Sequence, residues 1–130
     1  MTLARNPATG KEFTKYADNT VAHRNYVVGV LSKMWGRRVA HEGLVAVHAR
    51  FLFLRTADHF RTGKHAGELK PWAAEQEWAS SGYDLDKMCR LVGDALEISG
   101  VLANDRQIAL WRAERVWGET TGTELRVVVL

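Results

Sequence analysis

One stretch constrains the fold of this chain more than any other. From Gly43 to Leu54, apolar side chains fall on alternate positions, at Val45, Val47, Ala49, Phe51 and Phe53. A two-residue period marks a β-strand with one buried face. The opposite face starts polar, with His48 and Arg50, and turns apolar at Leu52 and Leu54. Such a strand needs partners along its edges and a second layer over its apolar side.

The remaining elements follow from period and punctuation. Asn6-Pro7-Ala8-Thr9-Gly10 signals a turn, so residues 4–18 read as an irregular or hairpin opening. Lys11, Phe13 and Tyr16 suggest a short strand after it. Asp18, Asn19 or Thr20 could cap a helix reaching about Trp35, with Val21, Val28, Leu31 and Trp35 at helical spacing. Gly36 and the pair Arg37-Arg38 end it. Residues 55–82 form a long polar connection with Gly63, Gly67, Pro71 and Gly82, and loops of that length are often functional. A second helix spans 85–99, with Met88, Leu91, Val92, Ala95 and Leu96 as its apolar stripe and Gly100 as its stop. Asn104-Asp105 is a turn, 107–116 a strand, 118–122 a hairpin loop and 123–129 a last strand. The expected fold is α/β (α+β): a small mixed sheet of about three to four strands packed by two main helices.

The chain has 130 residues, 46% of them hydrophobic, enough for one domain with a workable core. No apolar run has membrane-spanning length, and the amino terminus lacks the long apolar segment of a signal peptide. A single cysteine, Cys89, excludes an internal disulfide framework and fits a reducing, cytoplasmic setting. Its helical spacing with Leu85, Val92 and Leu96 suggests a buried structural thiol. None of the five histidines makes a zinc spacing with it. The net charge of +3 hides an asymmetry. Residues 1–70 carry 12 Lys and Arg against 5 Asp and Glu, while residues 71–130 carry 6 against 10. A basic half joined to an acidic half suits a protein that grips phosphates with one part and metal with the other, and equally suits a mixed solvated surface.

The acidic half contains the run Asp84-Leu-Asp-Lys-Met-Cys-Arg90, then Asp94, then Asn104-Asp105-Arg-Gln107. Two chemistries fit it. Asp84 is a good helix N-cap, Asp86 suits the first helical turn, and Arg90 stands four residues from both Asp86 and Asp94, an ordinary surface pairing. Alternatively, converging carboxylates repel each other unless a cation lies between them. A divalent metal is the simplest such cation, and a phosphodiester is a natural substrate for it. In the polar connection, Arg61, Lys64 and Lys70 are candidate phosphate contacts, beside Arg5, Lys11 and Lys15. His59 and His65 share that segment as candidate DNA contacts, and Trp72 and Trp78 could stack on bases or pack inside. Lys87 adjoins Asp86 and belongs to the same neighbourhood.

The spacing Asp84-Leu85-Asp86-Lys87-x-x-Arg90-x-x-x-Asp94-Ala95-Leu96, then Asn104-Asp105-x-Gln107-Ile108, resembles the signature of RusA-type Holliday junction resolvases. The likeness continues through Arg115-Val116-Trp117-Gly118-Glu119, and upstream through Thr62-Gly63-Lys64, Leu69-Lys70-Pro71 and Pro7-x-Thr9-Gly10-Lys11. It covers most of residues 4–129 and resembles phage or prophage members. The resemblance implies a homodimer in the cytoplasm of a bacterial host. It would bind four-way DNA junctions and nick two opposing strands with Mg2+, or with Mn2+ as a substitute.

By the same resemblance, Asp84, Asp86 and Asp105 would bind the metal. Together with Arg90 they would form the catalytic set, and Arg61, Lys64, Lys70, Lys87 and Arg115 would contact DNA. The sequence departs from the family pattern in three places. Arg90 replaces the usual catalytic lysine, which keeps the charge but removes a proton donor near neutral pH. Asn104 stands where many members have a further aspartate. Family members usually begin with an extra strand, and this sequence starts just after that point; either the sequence is short or the sheet lacks one strand, which would leave an exposed edge. These departures keep a second reading open, a branched-DNA-binding protein with impaired catalysis.

Overall fold

The structure, a computed structural model, describes residues 19–130. The expected opening turn and short strand, with Arg5, Lys11 and Lys15, lie outside those residues. The alternating run is strand β1 (Val45–Leu54), the middle member of a three-stranded sheet. Val45, Val47, Ala49, Phe51 and Phe53 are all buried, as the period of two requires. Strand β2 (Ile108–Gly118) runs parallel along one edge of β1, and β3 (Gly122–Val129) runs antiparallel along the other. The sheet is mixed, as expected.

The hairpin expected across 118–122 does not form. Gly118 pairs with Leu54 and Gly122 with Leu52, so residues 119–121 carry the chain from one side of β1 to the other. Two strand spacings are about 10 Å, a distance three extended residues can cover. β1 takes the centre because it is the most apolar and most buried of the three strands. The parallel pairing of β1 with β2 requires a long crossover, and residues 55–107 supply it.

Helices α1 (Asn19–Trp35) and α3 (Leu85–Ile98) pack over the apolar face, and α2 (Pro71–Ala74) is a single turn between them in sequence. Val27 and Leu31 of α1 join Met88, Leu91, Val92, Ala95 and Leu96 of α3 in one core with β1. Val21, expected on the inward stripe of α1, is instead 50% exposed, and His23, Val27 and Leu31 point inward. The adjacent valines at 27 and 28 make the helical phase ambiguous in sequence. No helix among the described residues is long and apolar enough to cross a membrane.

His23 sits in this core, with its Nε2 3.1 Å from the buried hydroxyl of Thr123. Burial disfavours the imidazolium and lowers the His23 pKa from 6.5 to about 4. The unfolded chain therefore binds the extra proton between those values, and stability falls as the pH drops through that window. The His23 share approaches about 3 kcal/mol at the low end, at roughly 1.4 kcal/mol per unit. His23→Gln is expected to flatten the dependence of melting temperature on pH between 6.5 and 4. Equal slopes for the two proteins would clear His23 of that role.

The polar connection is ordered rather than open. Arg61 N donates to Glu68 O at 2.7 Å and Lys70 N to His59 O at 2.8 Å, closing a small hairpin around Lys64 and His65. Arg55 anchors its base, donating to the carbonyls of Ala73 (2.7 Å) and Gln76 (3.0 Å) and to His59 Nδ1 (3.1 Å). Since a guanidinium only donates, Nδ1 of His59 is the acceptor. His59 is 3% exposed and lies edge-on to Trp72 and Trp117, so this candidate DNA contact is a buried anchor. Farther on, Ala79 N donates to Arg115 O and Trp117 N to Glu77 O, which covers part of the outer edge of β2. Gly82 then lets the chain cross the core. A Cβ there would stand 2.7 Å from the Phe53 ring, and its φ of 109° suits glycine alone.

Candidate functional site

That crossing delivers the chain to the amino-terminal end of α3. Asp84 is the N-cap residue by backbone position, but its side chain makes no capping hydrogen bond. Its carboxylate lies 3.5 Å from Lys87 Nζ in an exposed ion pair. Asp86 occupies the first turn of α3 and faces a cleft of about 710 Å³. Cys89 and Arg90 of α3 line the same cleft, and Ile108, Trp111 and Ala113 of β2 form its apolar wall.

Asp105 reaches this cleft from the turn before β2. The turn is rigidly specified. Asn104 Oδ1 accepts from Arg106 N, and Gln107 Oε1 accepts from Asn104 N, each at 2.8 Å. Together they form a capping box. Gln107 Nε2 then donates to His41 O (2.7 Å) and Gly43 O (2.8 Å), fastening the turn to the segment that enters β1. Gly93 of α3 lies beside this turn, and a Cβ there would make only ordinary contact, 3.9 Å from Asp105 Cβ and 3.8 Å from the Trp111 ring. Gln107 thus positions the site without lining it, and its signal in the sequence is a capping residue followed three positions later by Gln.

Residues 4–128 match the family described as Endodeoxyribonuclease RusA. The chain belongs to the RusA endodeoxyribonuclease family. An endodeoxyribonuclease is a hydrolase that cuts DNA phosphodiester bonds within a strand. No curated protein matches the chain.

Within this RusA domain, Asp86, Arg90 and Asp105 are brought to one cleft. Asp84 is not among the residues that line it, and Lys87 stands with Asp84. Among the described residues, no group of three or more His, Cys, Asp or Glu side chains is gathered tightly enough to hold a metal ion. Arg61, Lys64 and Lys70 belong to the small hairpin, where Arg61 faces Glu68 at 3.4 Å. Arg115 donates to Tyr83 O at 3.2 Å and so ties β2 to the residue before Asp84. Asn104, a departure from the RusA pattern, uses its side chain as a backbone cap.

Charge is unevenly spread over the cleft. Cys89, expected to be buried, is half-exposed there. Burial, and then the charge of Asp86, pushes its thiol pKa up, so it stays protonated near neutral pH. The negative charge lining the cleft is therefore that of Asp86 and Asp105, and Arg90 is its cation.

Proposed function

We propose that this cleft resolves four-way DNA junctions as a metal-dependent, structure-selective endodeoxyribonuclease making paired nicks. The observation that carries this reading is the meeting of Asp86, Asp105 and Arg90 in one cleft of a RusA-family chain. Hard carboxylate oxygens suit Mg2+, with Mn2+ as a substitute. Mg2+ typically needs only one or two protein carboxylates, with water and substrate phosphate completing its shell. Asp86 and Asp105 meet that need. Asp84, the third ligand by resemblance, stands outside the cleft and would have to leave its exposed pair with Lys87, which contributes only about 0–1 kcal/mol, to join them.

The bound metal would polarise the scissile phosphate and acidify a water molecule. Arg90 binds non-bridging phosphate oxygens and stabilises the charge that develops on them. A guanidinium offers hydrogen-bond donors and no acceptor, so its role is electrostatic. Ile108, Trp111 and Ala113 keep one side of the cleft apolar, which strengthens these interactions. Lys87 at the rim and Arg61, Lys64 and Lys70 on the hairpin neutralise flanking phosphates. Arg115 acts through the Tyr83 carbonyl and positions the start of α3.

Paired nicks call for two sites, and the open face of the sheet suits a second copy. Arg112, His48 and Arg126 form one cross-strand row, and Glu114, Arg50 and Glu124 form the next. A two-fold axis between the rows sets each basic row against the partner's acidic-flanked row. Sedimentation is expected to give twice the 14.6 kDa chain mass, and R112E/R126E is expected to give monomer. A double variant that stays dimeric would place the interface elsewhere.

The functional test compares a synthetic four-way junction with a linear duplex of the same sequence in Mg2+. Cutting confined to the junction, in symmetric pairs, is the expected result. Equal cutting of the duplex would refute structure selectivity. Binding without nicks in either Mg2+ or Mn2+ would identify a junction-binding protein that does not cut.

A further inference from the structure

Arg90 has a second neighbourhood. Besides the acidic cleft, it lines a smaller groove of about 190 Å³ between α1 and α3. Thr20 and Arg24 of α1 face Lys87, Arg90 and Asp94 of α3 across it. Helical spacing produces both sets. Residues 20 and 24 are one turn apart, and 87, 90 and 94 share one side of their helix. Three cations against one carboxylate leave the groove electropositive, beside a cleft whose own charge is largely negative.

Arg24 is the residue that needs explaining. It is half-buried, and its Nε–H is buried with no hydrogen-bond partner among the described residues. Arg24 lines the groove, so an anionic oxygen seated there gives an acceptor to a guanidinium that is short of one. The planar fork of arginine matches a phosphate. Arg90 supplies continuity, since the same side chain lines both groove and cleft.

We propose that the α1–α3 groove is a phosphate-binding subsite that seats the DNA backbone next to the scissile phosphate, with Arg24 as its principal contact. It rests on the reading of the neighbouring cleft as a DNA-cutting site. It adds a direction: the bound strand leaves the cleft over α3 toward α1.

The test measures binding in EDTA to a four-way junction and to a plain duplex across a salt series. Arg24→Gln is expected to weaken both affinities about tenfold at 0.1 M salt and to lower the slope of log affinity against log salt by about 1. Arg24→Lys should restore most of the slope. Lys33→Gln is the control, because nine residues along α1 rotate it to the far side of the helix. If Arg24→Gln fails to fold on thermal melting, the decision passes to Arg24→Ser, read against Lys33→Ser. Wild-type affinity and slope in the folded Arg24 variant overturn the subsite. Should duplex binding depend on Arg24 while the wild type leaves a junction uncut, the nuclease reading falls and the groove stands only as a DNA-phosphate contact beside a cleft that does not cut. Should junctions be cut with no dependence on Arg24, the groove falls and the nuclease reading stands. A wild type that binds neither DNA overturns both.

Discussion

Asp105→Asn is expected to slow Mg2+-supported cutting of a four-way junction by about a thousandfold or more, equivalent to about 4 kcal/mol of barrier. Asparagine keeps the size of the side chain and removes its charge. The surrounding turn is held by Asn104 and Gln107 rather than by the Asp105 carboxylate, so the backbone stays in place. What disappears is one of the two anionic groups that line the cleft. DNA binding should persist or tighten, because one like-charge repulsion with the phosphates is gone. Single-turnover cutting and a binding titration on the same junction separate the two effects. A loss smaller than tenfold would exclude Asp105 from the reacting centre.

Gln107→Ala is expected to lower stability by about 2–4 kcal/mol, read from urea or thermal unfolding. Gln107 is only 8% exposed and makes three side-chain hydrogen bonds, to Asn104 N, His41 O and Gly43 O. Alanine leaves all three backbone groups without that partner, and each bond contributes about 0.5–1.5 kcal/mol. Gln107→Glu should not rescue the fold, since a carboxylate cannot donate to the two carbonyls. Because the same side chain holds the Asp105 turn, cutting should fall with stability. A change below about 1 kcal/mol would show that the turn is held by other contacts.

Much of the fold was legible because local pattern and tertiary role agreed. The alternation at 45–53 became the buried face of β1, and Met88, Leu91, Val92, Ala95 and Leu96 all became core. The helix stops where expected, with Gly100 at φ 81°. Strand order was not legible. A short polar link between two strands signals a hairpin locally, and nothing local says that β1 will insert between them. The ordered connection was hidden for a similar reason. Its anchor joins Arg55 and His59 to Trp72 and Trp117, residues distant in the chain.

The site divides along the same line. Asp86, Arg90 and Asp105 were legible from spacing and resemblance, and they share one cleft. Asn104, which reads in sequence as a missing carboxylate, is a structural cap whose partner is a backbone amide. Arg24 carried no local signal at all. Its relation to Arg90 exists only because α1 packs against α3.

Whether the cleft containing Asp86 and Asp105 cuts branched DNA is decided by incubating a labelled four-way junction with Mg2+ and either the wild type or Asp86→Asn. Paired nicks are expected from the wild type, and Asp86→Asn should still bind the junction but leave it intact. Equal cutting rates for the two proteins would contradict that expectation.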